Sequence, residues 1–162
     1  PEIGGSEYLY VVHGLEKGEI PKPRPASELR NARFITEAIR RGLVLSVHDI
    51  STGGLAVAIL EMAIAGGIGI DVDISNIICR GCSRADEMLF SETQARYVIE
   101  VDAKKVDELK ALANEMNIDL SMLGKTVDNN VCKLTFKDKV LVQLDLGILK
   151  DVYENSLQRY IE

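Results

Sequence analysis

The chain has 162 residues, 46% of them hydrophobic, with 19 basic against 25 acidic side chains and a net charge of −6. That size and balance describe one globular domain able to fold without a metal or disulfide staple, and they exclude a disordered or fibrous chain. An acidic chain with 5% aromatics and no Trp excludes nucleic acid as the expected partner, and no run of eighteen apolar residues is free of charge, so no membrane partner is expected either.

Residues 1–26 read as an extended arm. Ser6 and Glu7 are suited to cap one or two helical turns ending near Gly14, and Pro21, Pro23 and Pro25 alternate with Lys22 and Arg24 in a stretch that cannot be helix. The opening Pro1-Glu2-Ile3 has neither an initiator Met nor a signal pattern, which suggests a piece of a longer protein. From Ser27, read as an N-cap, Leu29, Ala32, Ile35, Ala38 and Ile39 make a helical stripe. Glu28 suits its positive end, and Gly42 stops it. Leu43–Val47 reads as a strand. The turn His48–Gly54 follows, and then Leu55–Ala65, apolar almost all round and therefore expected to be a buried helix.

Ile68–Ile74 alternates as a strand, with Asp71 and Asp73 on one face. A loop carries Cys79 and Cys82, Asp86–Phe90 is a short helix, Arg96–Val101 a strand, and Lys104–Met116 an amphipathic helix facing inward with Val106, Leu109, Leu112 and Ala113. Strands are predicted at Leu120–Leu123, Val131–Phe136 and Val140–Leu144, the last two as a hairpin around Lys137-Asp138, with a closing helix over 147–161. Helices and strands mix without strict βαβ alternation, so the predicted class is α+β.

Two polar stretches interrupt this pattern. In His48–Gly54, two glycines after Ser51 and Thr52 leave the first amides of a buried helix available to a phosphate or carboxylate, and Asp49 offers a carboxylate to a hydroxyl or metal. The same residues also suit a simple cap with close packing at Gly53-Gly54. Ser91-Glu92-Thr93-Gln94-Ala95-Arg96 gathers hydrogen-bonding groups able to orient a polar phosphorylated molecule, or to form a solvated turn. Gly4-Gly5-Ser6-Glu7-Tyr8 carries the same two readings.

Cys79-Arg80-Gly81-Cys82 has the spacing of half a zinc site, but only Cys132, His13 and His48 remain as further soft ligands, so no metal site is expected. An odd cysteine count suits a reducing cytoplasm, and the pair reads as two reduced thiols in a loop. His48 beside Asp49 lacks a nucleophile and reads as structural. Glu61, alone in an apolar helix, needs a polar rim or a partner. No catalytic residue is assigned.

Gly4–Tyr8, then His48-Asp49-Ile50-Ser51-Thr52-Gly53-Gly54-Leu55-Ala56 with Glu61-Met62, then Leu89–Arg96 stand in the order and spacing of one family. Together with Gly124-Lys125 they resemble phosphoribosylformylglycinamidine synthase, specifically the C-terminal domain of its large synthetase chain, subunit II. Its relatives are aminoimidazole ribonucleotide synthetase, selenophosphate synthetase, thiamine-monophosphate kinase and a hydrogenase maturation protein. The resemblance implies a mixed, largely antiparallel sheet packed on helices, with residues 1–162 forming the last partner half of a longer chain and 1–26 its arm.

It further implies a cytoplasmic ligase that uses ATP and Mg²⁺ to phosphorylate the amide oxygen of formylglycinamide ribonucleotide, so that ammonia can displace phosphate. The implied partners are the ATP-binding half of the same chain, glutaminase and small accessory subunits, and the phosphoribosyl substrate. The fragment alone is expected to be inactive and to hold no cofactor. By analogy Ser91, Glu92, Thr93 and Gln94 line a substrate loop, while Asp49, Ser51, Gly53, Gly54, Gly4, Gly5 and Ser6 line the cleft. Thr52 stands where the family often has Asp, which counts against a metal role there. The competing expectations are a structural domain that binds nothing and the corresponding domain of a related ATP-using synthetase.

Overall fold

The computed structural model describes residues 1–158 and Ile161, and the chain divides into two compact units. The first comprises Pro1–Ile59 and Ile78–Ser121, and the second runs from Leu60 to Ile77 and from Met122 onward.

In the first unit, α1 (Glu7–His13) begins where the Ser6 hydroxyl accepts from the Leu9 amide and ends at Gly14, whose left-handed backbone returns its N–H to the last turn. Helix α2 (Pro25–Arg40) starts two residues before the predicted Ser27 cap. Pro25 occupies the first helical position, where its missing N–H costs nothing and its fixed φ is already helical, so the Pro-rich arm ends inside the helix. The buried face of α2 also differs from the predicted stripe. Phe34 and Ala38 are buried and Ile35 partly so, while Leu29 and Ile39 are more than half exposed.

That face packs with Leu43 and with Leu109, Leu112 and Ala113 of α5 (Val106–Glu115), as predicted for α5. Val44, Ile99, Val101, Met116, Ile118 and Leu120 close the edge of this cluster. Each large side chain withdrawn from water here contributes roughly 1.5–3 kcal/mol. Against the cluster, β1 (Ser46–Asp49) pairs antiparallel with β3 (Tyr97–Glu100), Asp49 opposite Tyr97 and Ser46 opposite Glu100. Between them in sequence lie α3 (Gly54–Gly66) and α4 (Ala85–Phe90). Leu55, Ala56, Ala58 and Ile59 of α3 are buried.

Cys79 and Cys82 are joined as a disulfide with their Cα atoms 5.7 Å apart, which corrects the expectation of two separate thiols. The backbone turns back through Gly81 at φ +79°, and this brings the two side chains together. Cys132 is a buried free thiol, and burial pushes its pKa up.

The second unit is built on a four-stranded sheet ordered β4-β2-β5-β6, from β2 (Gly69–Asp73), β4 (Gly124–Val127), β5 (Val131–Phe136) and β6 (Lys139–Asp145). The β2–β5 ladder is parallel; β2–β4 and β5–β6 are antiparallel, as is β1–β3, giving the mixed, largely antiparallel α+β architecture expected from the sequence. Lys137 and Asp138, both at positive φ, turn the β5–β6 hairpin where predicted.

The strand expected at Leu120–Leu123 lies instead at Gly124–Val127. Gly124 packs so tightly on β2 that a Cβ there would sit 2.1 Å from the Asp71 carbonyl oxygen, so a glycine that reads as a strand breaker is what the ladder requires. Ile70, Val72, Ile74, Cys132, Leu134 and Leu146 are the buried residues of this sheet and its flank. Helix α6 (Leu146–Asn155), capped by the Asp145 carboxylate on the Ile148 amide, is shorter than the predicted 147–161, of which residues 159 and 160 lie outside the described residues. Glu61 finds the expected partner: the Tyr153 hydroxyl donates to its carboxylate at 3.1 Å. Among the described residues no helix is long and apolar enough to cross a membrane.

Candidate functional site

The site lies within the first unit and centres on Ser91–Arg96, the loop between α4 and β3. Ser91, 3% exposed, is engaged on every side. Its Oγ accepts from the Glu2 amide at 2.9 Å, lies 3.2 Å from the Glu2 carbonyl and shares a 2.8 Å hydrogen bond with the Thr93 hydroxyl. The Glu92 amide donates to the same Glu2 carbonyl. A buried hydroxyl satisfied in this way fixes two chain segments at once.

The Glu92 carboxylate reaches the starts of two helices. Its Oε1 accepts from the Gly53 amide, just before α3, at 2.9 Å, and from the Glu7 amide, the first of α1, at 3.1 Å. A carboxylate is favoured at such positions by the unpaired N–H groups and by the helix dipole. The anion suited to the glycine turn is therefore already present in the chain itself. Gly54 brings the turn into contact with the loop, since a Cβ there would sit 2.6 Å from the Leu89 carbonyl oxygen and 2.8 Å from that of Ser91.

Arg96 turns its guanidinium onto the loop it follows. Nε donates to the Thr93 carbonyl at 2.8 Å and Nη2 to the Ser91 carbonyl. Burial, then repulsion from Arg24, lowers its pKa to about 10, partly offset by Glu2. Arg24 itself pairs with the Glu2 carboxylate at 2.6 Å, and that hydrogen bond is the main reason the Glu2 carboxyl titrates at about 2. Ala95 adopts a left-handed backbone at φ 64°, a conformation costing an L-residue about 1–2 kcal/mol. Two side chains of α2 hold it there: Glu28 accepts from the Ala95 amide at 2.8 Å and Asn31 donates to its carbonyl at 2.7 Å.

Beside this loop runs a groove of about 840 Å³ lined by Asp49, Ser51, Thr52, Glu92, Gln94 and Arg96, with Glu28 and Tyr97 also on its wall. The lining includes three acidic residues, Glu28, Asp49 and Glu92, against one arginine. Burial first, then the Glu28 and Asp49 carboxylates, holds the Tyr97 phenol above its ordinary pKa. Gln94, Ser51, Thr52 and Asp49 are exposed to the groove, whereas the heads of Ser91, Glu92 and Arg96 are occupied by main chain.

Of the other residues singled out in the sequence, Gly53 and Gly54 form the turn behind the groove. Gly5 and Ser6 border a separate hollow of about 210 Å³ with Tyr10, Leu15, Lys17 and Ile20. Gly4 packs against Gly18 and Glu19. His48 places Nδ1 2.6 Å from the Asp49 carbonyl oxygen. Glu2, Arg24, Asn31 and Tyr97 escaped the sequence reading, and Glu28 had been given only a helix-dipole role. Nothing in the local pattern marks Glu2, whose partners lie 22 and 89 residues away. Among the described residues no three His, Cys, Asp or Glu side chains converge to hold a metal ion.

Residues 1–137 match the family of AIR synthase related protein, C-terminal domain, and the chain belongs to that family. Among curated proteins, the chain is 37% identical over 99% of its length to phosphoribosylformylglycinamidine synthase subunit PurL of Alkaliphilus metalliredigens. It is 46% identical over 95% of its length to the PurL subunit of Thermococcus kodakarensis. In both cases it spans only 21% of the relative, about a fifth of the length of the curated proteins it matches. Among solved structures, Thermotoga maritima PurL complexed with FGAR superposes with a TM-score of 0.75 at 19% identity, covering 81% of this chain and 22% of that one. Escherichia coli HypE, a hydrogenase maturation protein, superposes at 0.62 with 20% identity over 90% of this chain and 47% of its own. These likenesses share the α+β fold described above.

Proposed function

We propose that this chain is the C-terminal domain of the large synthetase subunit of a phosphoribosylformylglycinamidine synthase. The whole enzyme would be a cytoplasmic ATP-dependent ligase of purine biosynthesis that converts formylglycinamide ribonucleotide and glutamine-derived ammonia to formylglycinamidine ribonucleotide. The observation that carries this reading is the match, over nearly the whole chain, to subunits bearing that name. The domain is a partner half, inactive alone, working with an ATP-binding half of the same chain and with glutaminase and small accessory subunits. A structure of the Thermotoga maritima protein complexed with ATP, and one of PurLQS from that organism, support nucleotide use and accessory subunits in the family.

An amide oxygen leaves poorly until it is phosphorylated, and stabilising that transfer is a matter of positioning and charge. This chain's own contribution is positioning. Glu92, Arg96, Glu28 and Asn31 hold the Ser91–Arg96 loop, and Asp49, Ser51, Thr52 and Gln94 offer hydrogen bonds along the groove. Its acidic wall favours the hydroxyl- and amide-bearing portion of a ligand over a phosphate, whose charge it would repel. Mg²⁺ would neutralise developing charge on the phosphates when bound, and we assign it and ATP to the partner half.

A second reading, a domain that only supports its neighbours, draws on one observation: Ser91, Glu92 and Arg96 are saturated by main chain. ADP release by the full parent chain with Mg-ATP and ammonium, with and without formylglycinamide ribonucleotide, tests the activity. Substrate-dependent release in the parent and none from this chain is expected. Release independent of that substrate in a folded, ATP-binding parent would redirect the assignment to a related synthetase.

A further inference from the structure

The segment between the second unit's Ile77 and helix α4 carries a cysteine pair that no part of the proposed function uses. Its flanks are anchored. The Ile78 amide donates to the Ser121 hydroxyl at 3.1 Å, and the Ser83 and Arg84 amides both donate to Oε2 of Glu87, three positions into α4. Between these anchors Cys79 and Cys82 are bonded across three residues, with Gly81 at positive φ making the turn and Arg80 inside the ring.

Closing so short a loop removes little freedom from the unfolded chain, so the bond contributes less to global stability than almost any other placement would. Both cysteines are partly buried, whereas Cys132 is fully buried. A bond that is partly exposed and of small structural value has the attributes of a reversible redox pair.

We propose that Cys79 and Cys82 form a reversible two-electron thiol–disulfide site that, when oxidised, holds the approach to α4. In the forward step a thiolate of an external dithiol attacks one sulfur and the Cys79–Cys82 bond breaks to a mixed disulfide. The second thiolate of the reductant then displaces the protein sulfur. The protein gains two electrons and two protons, and the reductant leaves as its own disulfide. The reverse step needs a small-molecule disulfide such as oxidised glutathione. Only two residues separate Cys82 from the first residue of α4, and α4 leads directly into Ser91, so the bond's state bears on the loop at its far end.

The test equilibrates the intact chain in buffers of dithiothreitol or oxidised glutathione, traps thiols with iodoacetamide and locates them by peptide mass, with hydrogen exchange measured on both forms. The expected result is loss of two hydrogens confined to the Cys79–Cys82 peptide under oxidation, full reversal by dithiothreitol, and Cys132 unlabelled in the folded protein throughout. Amide exchange across residues 79–90 should be several-fold faster in the reduced form and unchanged in β5. In C82S, Cys79 should instead accumulate a glutathione adduct. Two alkylated cysteines at 79 and 82 after oxidation, intermolecular dimers in place of the internal bond, or equal exchange in the two forms would overturn the proposal.

Discussion

Glu92 and Gly53 stand 39 residues apart, yet the Glu92 carboxylate lies 2.9 Å from the Gly53 amide and serves the glycine turn as its anion. The same oxygen takes the first amide of α1, so one side chain ties together the three motifs that carry the family resemblance.

Removing that carboxylate should therefore be felt at two helix starts. E92A leaves two amides without a partner and should lower stability by about 2 kcal/mol, the lower part of the range for lost acceptors because the Glu7 amide lies at the surface where water can replace the carboxylate. E92Q keeps an acceptor oxygen and should cost less than about 1 kcal/mol. Urea denaturation of the three proteins reads both values, and equal losses would show that the charge, not the acceptor, matters.

Gly54 should tolerate no side chain. At φ +69° with the Leu89 and Ser91 carbonyl oxygens in the space of a Cβ, G54A combines left-handed strain with a main-chain clash and should cost at least about 2 kcal/mol. G67A, also at positive φ but with open space around it, isolates the strain alone and should cost about 1 kcal/mol. Melting temperatures of the pair separate the two contributions.

Acid should weaken the hold of Glu2. Its folded pKa, about 2, lies below the ordinary 4.5, so its contribution is complete above pH 4.5 and disappears as pH falls from there towards 2. Because Arg24 is more than a third exposed, screening reduces this to about 1 kcal/mol or less. R24Q should flatten the stability profile in that window while leaving its shape above pH 5 unchanged, a difference visible in urea midpoints taken between pH 2.5 and 6.

The left-handed Ala95 and its Glu28 clamp should be energetically coupled. E28A alone removes the acceptor of the Ala95 amide and should cost about 1–2 kcal/mol. In the A95G background, where the left-handed backbone carries no Cβ penalty, the same change should cost measurably less. A double-mutant cycle on denaturation free energies gives the coupling, and strict additivity would show that Glu28 does not support the strained backbone.

If the groove binds substrate, D49A and Q94A in the full parent should raise KM for formylglycinamide ribonucleotide several-fold with kcat little changed, because these side chains are exposed at the groove and, among the described residues, hold no main chain. Unchanged KM in folded parents would favour the supporting role.

Periodicity located most helices and strands because their signals are local: the Ser6–Gly14 helix and the hairpin at Lys137-Asp138 carry their own cap or turn residues, and α5 carries its own apolar stripe. It failed where a distant partner decides. Gly124 forms strand because Asp71 and Val72 approach too closely for any side chain, and Pro25 opens α2 although two earlier prolines suggest an arm. The polar stretches were visible as clusters of hydrogen-bonding residues. Which of them face the groove and which hold main chain depends on Glu2, Glu28 and Asn31, each of which reads locally as an ordinary surface residue.

Glu2 offers Ser91 and Glu92 a main-chain N–H and a carbonyl, and offers Arg24 a carboxylate. Anyone excising this domain for chimeras or crystallisation should therefore treat its first three residues as indispensable cargo. A boundary set at the first helix would look clean on a secondary-structure diagram and would strip the buried Ser91 hydroxyl of both its Glu2 contacts, leaving it the Thr93 hydroxyl.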